Sequence, residues 1–130
     1  MVSNTINAQF TLGSGTSTSG FSESYGNVVF TSGDGIKIEG NVSHSSEQEY
    51  AVADYGMTQA DGIFLENLDE DNEIVLKLKT ASGSGSIVST LSIAPLGCFL
   101  VRLDVGQTAI SHVGLQGSTA TCSFVLCLVE

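Results

Sequence analysis

The chain has 130 residues, enough for one domain with a packed core, and 42% of them are hydrophobic, which excludes a disordered tail. Fourteen acidic residues against four basic ones give a formal net charge of −10. The four cations, Lys37, Lys77, Lys79 and Arg102, do not supply the clustered positive charge that a nucleic acid or an anionic membrane surface demands, so neither is an expected partner.

Met1-Val-Ser-Asn-Thr5 has neither the basic nor the apolar segment of a secretory signal, and no run approaches the ~18 apolar residues of a membrane helix. Synthesis in a cytoplasm is the expectation. Helical periodicity is nearly absent, whereas period-two alternation recurs. Ile6, Ala8, Phe10 and Leu12 alternate with polar residues and predict a strand. Gly13–Gly20 is low in complexity and reads as a flexible loop. Residues 1–20 are therefore expected as an arm that orders against a partner, or as a strand and exposed loop, with residues 21–130 forming the main domain. Tyr25–Thr31 makes a second run. The turn residues Ser32–Gly35 lead into Ile36, Ile38, Gly40 and Val42, which predicts a hairpin between the two runs. Tyr50–Tyr55 continues as a strand.

Gly62–Leu68 and Ile74–Lys79 flank the polar turn Asp69-Glu-Asp-Asn72. Ser82–Ser86 is a second flexible hinge before Ile87–Ile93, and Pro95 marks a turn ahead of Cys98–Leu103. Asp104–Gly106 makes a further turn, and Thr108–Val113 and Thr119–Val129 end the chain. In the last run Cys122, Phe124, Leu126 and Leu128 share one face, with Val125, Cys127 and Val129 on the other. A strand apolar on both faces belongs in the middle of a sandwich or at a subunit contact. The fold expected is all-β: a single β-sandwich, jelly-roll-like, of about eight to ten short strands. Periodicity does not set the strand order.

Residues suited to chemistry are few. His44 and His112 are the only histidines. A Ser–His site around either is the competing enzymatic reading, yet no Gly-x-Ser-x-Gly elbow selects a nucleophile. Glu66, Asp69 and Glu73 offer carboxylates, and Asp69 and Asp71 are the weak candidates for a metal ion. The spacing lacks the alternating ligands and distant bidentate Glu of a calcium loop, so a solvated turn is expected. Gly13-Ser-Gly15 and Gly83-Ser-Gly85 lack the context of a phosphate loop. Tyr25, Tyr50 and Tyr55 could stack on a glycan or line a core. Cys98, Cys122 and Cys127, an odd number inside apolar runs, read as free, buried thiols. No catalytic, cofactor or metal site is expected. The interface candidates are Phe10, Leu12, Phe124, Leu126 and Leu128.

From Glu47 to Glu130 the order of parts resembles small structural proteins of tailed-bacteriophage virions. It runs Glu49-Tyr-Ala-Val-Ala-Asp-Tyr-Gly56, Gly62-Ile-Phe-Leu-Glu-Asn-Leu-Asp69, Ala94-Pro-Leu-Gly-Cys-Phe-Leu-Val-Arg-Leu103, Thr108-Ala109 and a closing apolar strand. Leu96 and Cys98 around Gly97, and three cysteines in all, depart from that pattern. The resemblance implies a non-enzymatic β-sandwich that forms homo-oligomers and docks on the major capsid protein or another virion protein. The role expected from it is a capsid decoration (cement) protein on the outer surface of the virion. The alternative is a tail, neck or fibre-type structural protein that binds a receptor or glycan.

Overall fold

The computed structural model describes the backbone of residues 4–12, 21–30, 35–103 and 109–130, with side chains for 35–103 and 109–130. Its contacts fall into two units, Met1–Gly33 and Asp34–Glu130. In the first, β1 (Asn4–Leu12) pairs antiparallel with β2 (Phe21–Phe30), Asn4 opposite Phe30 and Leu12 opposite Phe21. The expected hairpin between the 25–31 and 36–42 runs is thus corrected, because β2 takes the N-terminal strand as its partner. The loop expected at 13–20 lies outside the described residues.

The second unit holds β3 (Gly35–Val42), β4 (Gln48–Ala51), β5 (Gly62–Asn67), β6 (Ile74–Lys79), β7 (Ile87–Ile93), β8 (Cys98–Arg102), β9 (His112–Gly117) and β10 (Cys122–Val129). They form two four-stranded antiparallel sheets, β3-β10-β5-β8 (sheet I) and β4-β9-β6-β7 (sheet II). The result is an all-β sandwich in a jelly-roll order, with no α-helix among the described residues.

Period-two patterning decides what each sheet buries. Ile63 and Leu65 of β5 and Phe124, Leu126 and Leu128 of β10 face Ile74, Leu76 and Leu78 of β6 and Val113 and Leu115 of β9. Each fully enclosed side chain of this size contributes about 1.5–3 kcal/mol. Tyr50 closes one side, edge-on to Phe124 with ring centroids 6.0 Å apart. β10, apolar on both faces, occupies a central position between β3 and β5, where neighbours on both sides shield its outer residues.

Three segments depart from the sequence reading. The expected strand at 50–55 stops at Ala51 and becomes a 3₁₀ turn over Val52–Tyr55. Part of the expected hinge at 82–86 is ordered as a second such turn, Ser84–Ser86. In the run expected at 108–113, Ile110 makes only an isolated bridge to Ala60, and β9 begins at His112.

Candidate functional site

The two outer faces of the sandwich differ in chemistry. Across sheet II, Glu47 and Glu49 reach over β9 to lysines on β6. Lys77 Nζ donates to Glu47 Oε2 at 3.1 Å. Lys79 Nζ donates to Glu49 Oε2 at 2.9 Å and also contacts Glu47 Oε1. Lys79 is only 1% exposed although it points away from the core.

Gly114 makes this reach geometrically possible. It lies between Glu49 and Lys77 in the register, and a Cβ there would come within 2.0 Å of Glu47 Oε1. Glu49 also accepts from Ser82 Oγ at 2.5 Å and from the Gly83 N–H at 3.1 Å, so it ties the β6–β7 connection to β4. The Ser82 hydroxyl, the Lys79 ammonium and the Gly83 N–H hold the Glu49 carboxyl down at about 2. Burial pushes Glu47 up, but hydrogen bonds from Lys79 and Lys77 outweigh it and its carboxyl lies below the usual range. Burial likewise opposes the charge on Lys79, and its two carboxylates overcome this and raise it. These four groups balance one another in charge, leaving a compensated surface rather than a reactive centre. Sequence reading missed them. The matched spacings Glu47-x-Glu49 and Lys77-x-Lys79, each putting two like charges on one side of the chain, were the available signal.

The outer face of sheet I carries an apolar patch bordered by charged residues. Register places Lys37, Cys127, Phe64 and Leu100 in one row across its four strands, and Glu39, Val125, Glu66 and Cys98 in the next. Cys127, Phe64, Leu100 and Val125 are half-buried, with Lys37 and Glu39 on the β3 edge and Glu66 beside Val125 on the internal strand β5. Lys37 pairs with Glu39 at 2.7 Å along the β3 edge. Leu68, 44% exposed, and Leu96, 66% exposed, extend the apolar surface beyond the ends of the paired strands. Leu96 adopts a φ of 56°, the one positive-φ non-glycine residue among those described.

The sequence candidates are distributed as follows. Phe124, Leu126 and Leu128, expected at an interface, line the core of this chain at 1%, 0% and 0% exposure. The opposite face of the same strand, with Val125 and Cys127, is turned outward and half-buried. Phe10 and Leu12 lie in β1, and their side chains are outside the described residues. Asp69 Oδ1 faces its own turn, accepting from the Asp71 N–H, the Asn72 N–H and Asn72 Nδ2 at 2.9, 2.6 and 3.0 Å. Those bonds lower its pKa. Asp71 is exposed.

The two histidines make different contacts. His44 is exposed in a serine-rich turn, and its carbonyl accepts from Gln116 Nε2. Ser111 Oγ contacts both the Thr80 carbonyl, at 2.7 Å, and His112 Nδ1, at 2.8 Å. A carbonyl only accepts, so the single hydroxyl proton goes to Thr80 and the imidazole N–H donates to Ser111. His112 therefore does not act as a base toward that serine. The thiols divide too. Cys122 is buried, Cys127 is half-buried, and Cys98, expected buried, is exposed on the short strand β8. Cys98 lies two strands and two residues from Cys127, roughly 12 Å, beyond the ~7 Å Cα reach of a disulfide within the chain.

No protein-family model matches the chain, and no curated protein matches it. Among solved structures it is similar to a chain from work titled as describing Bacillus endospore appendages that form a novel family of disulfide-linked pili. Identity is 18% and the TM-score 0.47, over 73% of this chain and 82% of that one. This finding overturns the phage resemblance drawn on residues 47–130. The match is to a bacterial fibre subunit, not a capsid protein, and the decoration role, the capsid-protein partner and the virion location are withdrawn with it.

Proposed function

We propose that this chain is a non-enzymatic structural subunit that associates with copies of itself to build a fibre. The observation that carries the reading is the contrast between the faces: sheet II presents an internally neutralised surface, while sheet I presents Phe64, Leu100, Val125 and Cys127 as a contiguous apolar face. Contiguous apolar surface of this kind marks a contact with another protein. A second copy covers it. Fibre growth is what the matched Bacillus structure describes of its own subunits, and it is the assembly proposed for this one. The N-terminal unit, a two-stranded sheet of β1 and β2, is the second contributor proposed, because a two-stranded hairpin gains stability by packing on a neighbour.

Phe64→Lys and Val125→Lys test the reading, since each puts a charge in the middle of the face without touching the core. Electron micrographs of the wild-type chain are expected to show fibres, and both variants are expected to remain small while keeping the wild-type circular dichroism. Fibres of normal length from either lysine variant would sink the proposal.

A further inference from the structure

A β-sandwich that is not closed into a barrel has four edge strands, and each is a template for a further strand unless something blunts it. Three edges here are blunted. β3 carries the Lys37–Glu39 ion pair. β4 is four residues long, and its Glu49 is engaged across the sheet. β8 is five residues long and ends in Arg102. The fourth, β7, runs for seven residues, Ile87-Val-Ser-Thr-Leu-Ser-Ile93, without a charge, a proline or a glycine. It also leaves Ile87 36% and Val88 52% exposed.

The strand is complementary to itself. Turned about Thr90, it sets Ile87 opposite Ile93, Val88 opposite Ser92, Ser89 opposite Leu91, and Thr90 opposite its own copy. Of the residues that face the core, Ser89, Leu91 and Ile93, opposite Leu78, Leu76 and Ile74 in β6, Ser89 and Leu91 then meet each other in the copy, while Ile93 meets Ile87, which a register shift sets opposite Lys79. Val88, Thr90 and Ser92 meet on the outside. Thr–Thr and β-branched cross-strand pairs are favourable neighbours. The carboxylate beside this edge, Glu73, accepts from Ser92 Oγ at 2.6 Å. It falls at the two ends of such a pair rather than at its centre, so two strongly acidic chains approach along a neutral seam.

We propose that β7 pairs antiparallel with β7 of a second copy about a two-fold axis at Thr90, joining two four-stranded sheets into one of eight. This contact is separate from the outer face of sheet I. In a growing fibre it joins subunits side by side.

Single cysteines read the register directly. In the full chain carrying Cys98→Ser and Cys127→Ala, T90C brings two thiols onto adjacent strands at Cα separations suited to a disulfide, whereas V88C or S92C alone leaves like positions about 14 Å apart. Mild oxidation is expected to convert T90C to a covalent dimer, to leave V88C and S92C monomeric, and to crosslink the V88C/S92C double variant. Adding V88K to T90C is expected to suppress the dimer. T90C that stays monomeric while its circular dichroism is unchanged overturns the proposal, and that is the result if the edge takes a strand from the N-terminal unit instead. Equal crosslinking of all three single variants also overturns it. Loss of fibres in Phe64→Lys with T90C dimers intact separates this contact from the sheet I face.

Discussion

Lys79 shows how one residue can contradict its usual habit. Lysine is almost never enclosed unless paired, and this one is enclosed because Gly114 leaves room for two carboxylates to lie over the sheet. Removing both acceptors, Glu47→Ala with Glu49→Ala, strands the ammonium and is expected to cost roughly 2–4 kcal/mol in urea unfolding. That is below the ~3–5 of a fully enclosed pair, because the carboxylates keep some solvent. Lys79→Met, which replaces the charge with packing, is expected to cost less than the double variant. The reverse order would mean that the ion pairs are incidental. The acid side follows from Glu49. Its carboxyl titrates at about 2 in the fold against an ordinary 4.5. Its contribution is therefore complete above pH 4.5 and disappears as the pH falls towards 2. Lys79, raised above its ordinary 10.5, loses its contribution only as the pH climbs past that value. Thermal unfolding of wild type and Glu49→Gln should differ at neutral pH and converge on acidification through that window. A gap that persists at the acid end would rule Glu49 out.

At the level of elements, Asn67 is the joint between the sheets. It is fully buried where β5 leaves sheet I, and its Nδ2 lies 2.8, 3.2 and 3.1 Å from the carbonyls of Asn72, Ile93 and Ala94. Its Oδ1 accepts from the Asp69 N–H at 3.0 Å. One amide thus fastens the β5–β6 turn to the β7–β8 turn. Asn67→Ala leaves several enclosed carbonyls without a donor and is expected to cost about 2–3 kcal/mol. Asn67→Asp should be no better, since a carboxylate cannot donate to carbonyls; a urea midpoint at the wild-type value for either would refute this role. The strands themselves were legible because alternation such as Ile74, Leu76, Leu78 against Val75, Lys77, Lys79 is a local signal. Partner choice was not. β2 and β3 are adjacent in sequence and looked like a hairpin, yet β3 pairs with β10, a choice set by how two sheets close over one core. The same limit hid the site. Phe124 and Val125 look equally apolar in sequence, and only the position of β10 inside sheet I assigns one to the core and the other to the open face.

For the molecule as a whole, charge and assembly pull in opposite directions. Fourteen acidic groups against four basic ones leave each copy at −10 near neutral pH, and the four groups of the sheet II cluster cancel among themselves, so the excess is carried elsewhere. Repulsion between copies therefore opposes any contact, and the surfaces proposed to meet are the apolar patch of sheet I, where Lys37 and Glu39 pair with each other, and the uncharged β7 edge. Screening should help them. Raising the ionic strength from ~0.01 M to ~0.15 M shortens the Debye length from ~30 Å to ~8 Å, which removes long-range repulsion and leaves apolar contacts almost unchanged. Sedimentation velocity across that range is expected to show larger assemblies as salt increases. The Phe64→Lys variant should stay small throughout, because its defect is a charge buried in the contact rather than a field around it. Assemblies that dissolve as salt rises would show that ion pairs between copies hold them together, and the apolar face would lose its place as the principal contact.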